Sequence, residues 1–299
     1  MAGRVPAVGL VGLGSLGRPM AERLLACGVA LRVWDVDESR VAGLAGLGAE
    51  PAAAPSGLSG CTTLMVVVPD DGAATELLTG EGGLLGVLPR DAVVVLHSTL
   101  LPATVTDLVR EGDRHGVAVV DAPVSGGPER AAAGELTIMV GGSDAAVDRV
   151  RPVLRHLASD LHHVGGPGAG AAVKLANQVM LFAALAGVHE GLEVAAAYGV
   201  EEHDVLAAVS TSLGESWVTR NWGFFDEMVR TYDDIGTPLE QRSWRKDLRD
   251  VVVTAEDLGL DLPVSRLLAD TLAARVEGRL ATRGDDQPAG SNQAPTPRS

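Results

Sequence analysis

The stretch Gly165-Gly166-Pro167-Gly168-Ala169-Gly170-Ala171-Ala172-Val173-Lys174-Leu175-Ala176-Asn177-Gln178 opens a run of small and apolar residues that lasts to Tyr198 and stops at Gly199. No proline follows Pro167 within it, and Ala and Leu dominate, so the spacing predicts one helix over 167–198. At 1.5 Å per residue that helix is roughly 45 Å long. Its apolar residues fall on nearly all sides, so other elements must cover it, as expected of a helix that joins two domains. Lys174 interrupts the apolar run. One helical turn places Asn177 and Gln178 on the same side as Lys174, which gathers a cation and two amides on one face. A lone lysine usually lays its stem along apolar surface and keeps its head in water. The two amides make this one a candidate proton carrier, because burial near the positive end of a helix favours a neutral amine.

Outward from that helix, bulk composition sets limits. With 299 residues and 46 % hydrophobic content the chain can bury one large core or two medium ones. Aromatic residues make up only 3 %, so packing must rest on Ala, Val and Leu, which suits close-packed helices and buried parallel strands. A formal net charge of -15 argues against nucleic acid or an anionic membrane surface as partner. A small molecule is the expected partner. Cys27 and Cys61 lack zinc-type spacing and read as core residues of a protein in a reducing compartment, the cytoplasm. The apolar start, Met1 to Gly17, reads as strand, turn and helix start, not as an export signal. No segment reads as membrane-spanning, since even the long helix carries Lys174, Asn177, Gln178, His189, Glu190 and Glu193.

Ahead of the helix lies a β/α pattern. Ala7 to Val11 is strand-like, Gly12-Leu13-Gly14-Ser15-Leu16-Gly17 follows, and Arg18 to Leu25 is helical. A second strand, Leu31 to Trp34, then ends at Asp35. A GxGxxG hexapeptide alone says little in a chain with 37 glycines. Between a strand and a helix, with an acidic residue about twenty positions on, it predicts a dinucleotide-binding turn. Gly12 allows the turn, Gly14 admits a pyrophosphate, Gly17 lets helix and strand meet, and the amides of Leu13, Ser15 and Leu16 open the helix toward phosphate. The Asp35 carboxylate accepts ribose hydroxyls and repels a 2′-phosphate, so NAD is expected in preference to NADP.

Further strands read over 62–68, 92–96 and 117–120. The alternation implies a doubly wound parallel sheet, with ligands at the carboxyl ends of its strands, where Val68, Pro69 and Thr99 stand. His97 at such an end reads as a satisfied histidine. His162-His163 would point to opposite faces of a strand, a poor chelate, and no metal is expected. Ser125-Gly126-Gly127 opens a short helix and offers a hydroxyl and amides to an anion.

Four segments together, GLGSLGRPMAERL (12–24), DAPVSGGPERAAAGELTIMVGG (121–142), GGPGAGAAVKLANQ (165–178) and Lys246-Asp247-Leu248, resemble the β-hydroxyacid dehydrogenases in order and spacing. The resemblance covers residues 6–280. It implies that Lys174 is catalytic, that Ser125, Gly126 and Gly127 hold a substrate carboxylate with Asn177 and Gln178 nearby, and that Lys246 lies at the cofactor-substrate cleft. It implies hydride transfer between NAD(P) and a small β-hydroxy acid, an all-helical second domain, and homodimers or homotetramers packed through that domain. Leu16 stands where Met is usual. His97 replaces a residue that is often Asp or Cys, and Gln178 replaces a second Asn. Imine reductases share the architecture but usually lack the lysine, and a non-catalytic dinucleotide-binding scaffold would be free to lose it.

The expected organisation is thus α/β: a Rossmann-type doubly wound domain over 1–164, an all-helical domain over 165–282 joined by the long interdomain helix, and a disordered tail over 283–299. Helices are expected over 202–210, 215–230, 244–258 and 263–280. Trp217, Trp222, Phe224 and Phe225 gather much of the aromatic content, and the pattern leaves open whether they wall a substrate cleft or fill a dimer core.

Overall fold

A computed structural model describes residues 8–283. The expected tail therefore lies, save Arg283, outside the described residues. Two compact units divide inside one helix, the first running through Leu175 and the second starting at Ala176.

In the first unit, β1 (Val8–Val11), α1 (Gly17–Ala26), β2 (Leu31–Trp34), α2 (Glu38–Ala45), β3 (Glu50–Pro51), β4 (Thr63–Val66), α3 (Asp71–Thr79), β5 (Val93–Leu96), α4 (Pro102–His115) and β6 (Ala118–Asp121) alternate in chain order. They are followed by β7 (Val124–Ser125), α5 (Gly127–Ala133), β8 (Leu136–Gly141), α6 (Asp144–Leu154), β9 (Ala158–Gly165) and the start of α7 (Ala169–Ala196). Among the described residues the sheet order is β3-β2-β1-β4-β5-β6-β8-β7, with β9 paired to β8. Pairing from β3 through β6 is parallel. The strand order reverses between β1 and β4, so the crevice at their carboxyl ends is where this topology receives a ligand. Beyond β6 the sheet departs from the expected all-parallel form: β8 runs antiparallel to β6 and β7, and β9 parallel to β8.

The sequence explains the layers. β1 and β5 are buried along their whole length, as strands covered on both faces must be. One face packs Met20, Leu24 and Val147 against the sheet, the other Leu78, Val105 and Leu108. These are the apolar stripes of α1, α6, α3 and α4.

The second unit is helical: the rest of α7, then α8 (Glu202–Val209), α9 (Trp217–Arg220), α10 (Phe224–Asp234), α11 (Ser243–Asp257) and α12 (Pro263–Arg283). The helix expected over 215–230 is two helices. Gly223, with φ of 100°, reverses the chain at the start of α10, a conformation that glycine adopts without a Cβ penalty. Phe182 of α7, Phe225 of α10, Trp244 of α11 and Leu272 of α12 share one buried core. The ring centroids of Phe225 and Trp244 lie 6.3 Å apart at 72°, an edge-to-face arrangement. Phe224 and Phe225 make a similar pair at 5.4 Å, while Trp222 donates to Glu202 (2.8 Å) and lies under the Arg279 guanidinium, 4.3 Å from its ring centroid. Much of the aromatic segment thus serves its own unit. By length and composition α7 passes for a membrane span, yet Phe182 and Leu185 are built into this helical core.

Candidate active site

The dinucleotide turn begins where β1 ends. Gly12 has φ of 86°, and a methyl group there would sit 1.9 Å from the Val67 carbonyl oxygen; at Gly17 it would sit 1.8 Å from the Gly12 oxygen. Neither position admits a side chain. The Gly12 N–H donates to Trp34 O (3.1 Å) and the Val67 N–H to Val11 O (2.8 Å), so the turn is stitched to both neighbouring strands. At Gly14 the nearest atom to an added methyl is Arg40 Nη1 at 3.9 Å, which leaves an open cradle at the helix start. Ser15 is exposed and Leu16 half-buried beside it.

Asp35 does more than end a strand. It is buried, its Oδ2 accepts the Leu13 N–H at 2.6 Å and its Oδ1 accepts the Asp37 N–H at 2.8 Å. The Arg40 guanidinium lies 3.7 Å from Oδ1. The Leu13 amide is thereby committed to Asp35, and its side chain to the core. Neither contact nor the nearness of Arg40 was legible in the pattern.

At the next strand ends, Ser98 Oγ accepts the Val68 N–H (2.9 Å) and donates to Val68 O (2.6 Å), which ties the chain after β4 to the chain after β5. Val68 and Thr99 are half-buried and Pro69 exposed at this edge. His97 is buried. Its Nδ1 lies 2.9 Å from the Ala122 oxygen, and its Nε2 has no partner among the described residues. Burial lowers the imidazole pKa from 6.5 to about 4, partly offset by the bond to Ala122, so the ring is neutral at physiological pH. The expected satisfied histidine is satisfied at one nitrogen only.

Asp121, at the end of β6, anchors the long helix. Its Oδ1 accepts the Gly168 N–H at 2.9 Å and its Oδ2 the Ala171 N–H at 2.8 Å. These are amides at the start of α7, where intrahelical acceptors are lacking. Burial raises the carboxyl pKa more than these amide bonds lower it. The approach is close: a methyl on Gly170 would lie 2.4 Å from Met139 O. Lys174, one turn past Gly170, is 8 % exposed. Two residues beyond Pro123, the half-buried Ser125 pairs with Thr137 of β8. Gly126 and Gly127 turn away from it with φ of 138° and 73° into α5.

In the helical unit, Asn177 Nδ2 donates to Gln178 Oε1 (3.0 Å), and Gln178 Nε2 donates to Asp247 Oδ2 (2.5 Å). Lys246 Nζ lies 2.6 Å from Asp250 Oδ2 and 3.8 Å from Asp247 Oδ1. Gln178, Lys246, Asp247 and Asp250 are all at most 5 % exposed. The structure thus joins the predicted Asn177, Gln178 and Lys246 in one network, closed by Asp247, which the motif included without a role, and by Asp250, which lay outside it. The signal for Asp250 was its spacing from Lys246, four residues along a helix.

Comparison with known proteins agrees with this layout. The pattern described as the NAD binding domain of 6-phosphogluconate dehydrogenase matches residues 7–165. That described as NAD-binding of NADP-dependent 3-hydroxyisobutyrate dehydrogenase matches residues 168–289. The 2-(hydroxymethyl)glutarate dehydrogenase of Eubacterium barkeri is 33 % identical over 70 % of this chain and 70 % of its own. An NAD-dependent L-serine dehydrogenase of Pseudomonas aeruginosa is 33 % identical over 70 % of this chain and 71 % of its own. The crystal structure of a 3-hydroxyisobutyrate dehydrogenase from Salmonella typhimurium superposes with a TM-score of 0.75, at 26 % identity over 91 % of this chain and 99 % of that one. With the first pattern matching more than half of its residues and a relative 33 % identical over 70 % of its length, the chain belongs to the NAD(P)-dependent β-hydroxyacid dehydrogenases of the 3-hydroxyisobutyrate dehydrogenase type.

Proposed function

We propose that the enzyme interconverts a 2-substituted 3-hydroxypropanoate and its semialdehyde, with Lys174 as proton carrier and NAD as the preferred coenzyme. The observation that carries this reading is Lys174 itself, nearly buried one turn beyond the point where Asp121 and Gly170 seat α7 against the sheet. The named substrates of two relatives, 2-(hydroxymethyl)glutarate and L-serine, share a hydroxymethyl group on the carbon that bears the carboxylate. That common unit motivates the substrate class.

The residues present suit a dinucleotide: Gly12 and Gly17 admit no side chain, and Gly14 leaves the helix start open to a phosphate. Ser15, Leu16, Val68, Pro69 and Thr99 would line it and Lys246 would approach it, while Leu13, whose amide and side chain are both engaged, supports the turn from behind. When bound, the nicotinamide supplies the hydride acceptor for oxidation and the donor for reduction. Lys174 Nζ takes the hydroxyl proton of the substrate as the alcohol is oxidised and returns it on reduction, stabilising the developing alkoxide between. Ser125 and the amides of Gly126 and Gly127 fix the carboxylate, and Asn177 and Gln178 orient the reacting end. Asp35 supports NAD, since its carboxylate disfavours a second anion, though Arg40 at 3.7 Å offsets part of that charge. The free thiols of Cys27 and Cys61 suit the cytoplasm.

The deciding experiment is steady-state turnover with 3-hydroxyisobutyrate, glycerate, threonate and serine, each with NAD and NADP. Lys174→Ala is expected to cut kcat by on the order of 10³-fold while NADH still binds. Near-normal turnover in that variant ends the assignment, and a clear NADP preference overturns the role given to Asp35.

A further inference from the structure

We propose that Asp247 is a positioning residue which, through Gln178, fixes the side-chain amide of Asn177 with its oxygen presented as an acceptor beside the catalytic lysine. The inference rests on the reading of Lys174 as proton carrier. Its chemistry is one of hydrogen-bond polarity. A carboxylate accepts and does not donate. Asp247 Oδ2 therefore requires the NH₂ of Gln178, which it meets at 2.5 Å. Gln178 Oε1 in turn accepts the NH₂ of Asn177 at 3.0 Å. The remaining group of Asn177 is its oxygen. One turn earlier on the same helix stands Lys174, whose Nζ carries only donors when protonated. An acceptor on the helix face that carries the lysine, three residues along, complements a protonated amine, whereas a flipped amide would put donors on that face.

Asp247 is available for this task because Lys246 has a nearer partner. Its Nζ lies 2.6 Å from Asp250 and 3.8 Å from Asp247. The ion pair within α11 thus neutralises the lysine, and the second carboxylate is spent on an amide. Sequence places Gln178 and Asp247 sixty-nine residues apart, and their contact assigns Asp247 a role that its adjacency to Lys246 does not suggest.

The test uses kcat and KM of the full chain with its β-hydroxy acid, NADH affinity by fluorescence, and melting temperature. Asp247→Leu removes the acceptor at similar volume and is expected to lower kcat by about 10- to 100-fold with NADH affinity unchanged. Asp247→Asn still offers an oxygen to Gln178 and should restore most of that loss. Gln178→Glu sets two carboxylates against each other and should lower kcat to a similar extent. Adding Asp247→Asn to it should recover about tenfold, because the new amide can donate to the new carboxylate while Asn177 keeps its orientation. Wild-type kcat in Asp247→Leu, or no recovery in the double variant, overturns the relay. Should Asp247→Leu fail to fold, the Gln178→Glu pair decides, and its rescue in melting temperature is readable without turnover. A wild-type chain inert toward every β-hydroxy acid would instead sink the assignment of function.

Discussion

A histidine at the carboxyl end of a strand can act as acid, base or packing, and for His97 burial decides. Its folded pKa, about 4, lies below the ordinary 6.5. The unfolded chain therefore binds more protons between these values, so stability attributable to His97 is complete above pH 6.5 and declines as pH falls toward 4. Between pH 7 and pH 5 the loss amounts to roughly 2 kcal/mol. Urea unfolding at both pH values should show wild type losing that much more stability than His97→Met; equal losses would mean the ring is solvated. Asp35 teaches the complementary point. A strand-end carboxylate was predictable, but its grip on the Leu13 amide came from the loop folding back on it.

At the scale of elements, α7 depends on its first turn. Asp121→Ala would strand the Gly168 and Ala171 amides without an acceptor, at a cost of about 3 kcal/mol. Melting temperature should fall by several degrees, less in Asp121→Asn, and kcat should fall with it because Lys174 rides on that turn. An unchanged melting temperature in Asp121→Ala would show that the helix is seated by its apolar contacts alone. The long helix, β1, β2, β4, β5 and β6 and the glycine turn were all legible, since period, capping and turn residues act within a few positions. The antiparallel return of β8 was not, because strand direction depends on a partner elsewhere in the chain. Nor was the break at Asn221-Trp222-Gly223, where one residue's φ of 100° outweighs an otherwise continuous helical pattern.

At the scale of the molecule, each unit has its own core, two clusters flanking the sheet and one among the helices. Yet α7 leaves Met180 73 % and Val194 66 % exposed, and Tyr198 just beyond it 87 %. Apolar exposure on that scale suits a second copy of the chain, so sedimentation at micromolar concentration should return a dimer or tetramer, and Val194→Glu should weaken it. A monomer at that concentration would refute the association. What the sequence by itself determined was the long helix, the strands β1, β2, β4, β5 and β6 and the glycine turn after β1, because each follows from neighbours within a turn or a strand. Only the tertiary structure decided that Asp121 holds the start of α7, that Asp35 holds Leu13 and that Asp247 holds Gln178. Those bonds join residues 22 to 69 positions apart, and a buried donor or acceptor takes whichever partner the packed chain brings to it.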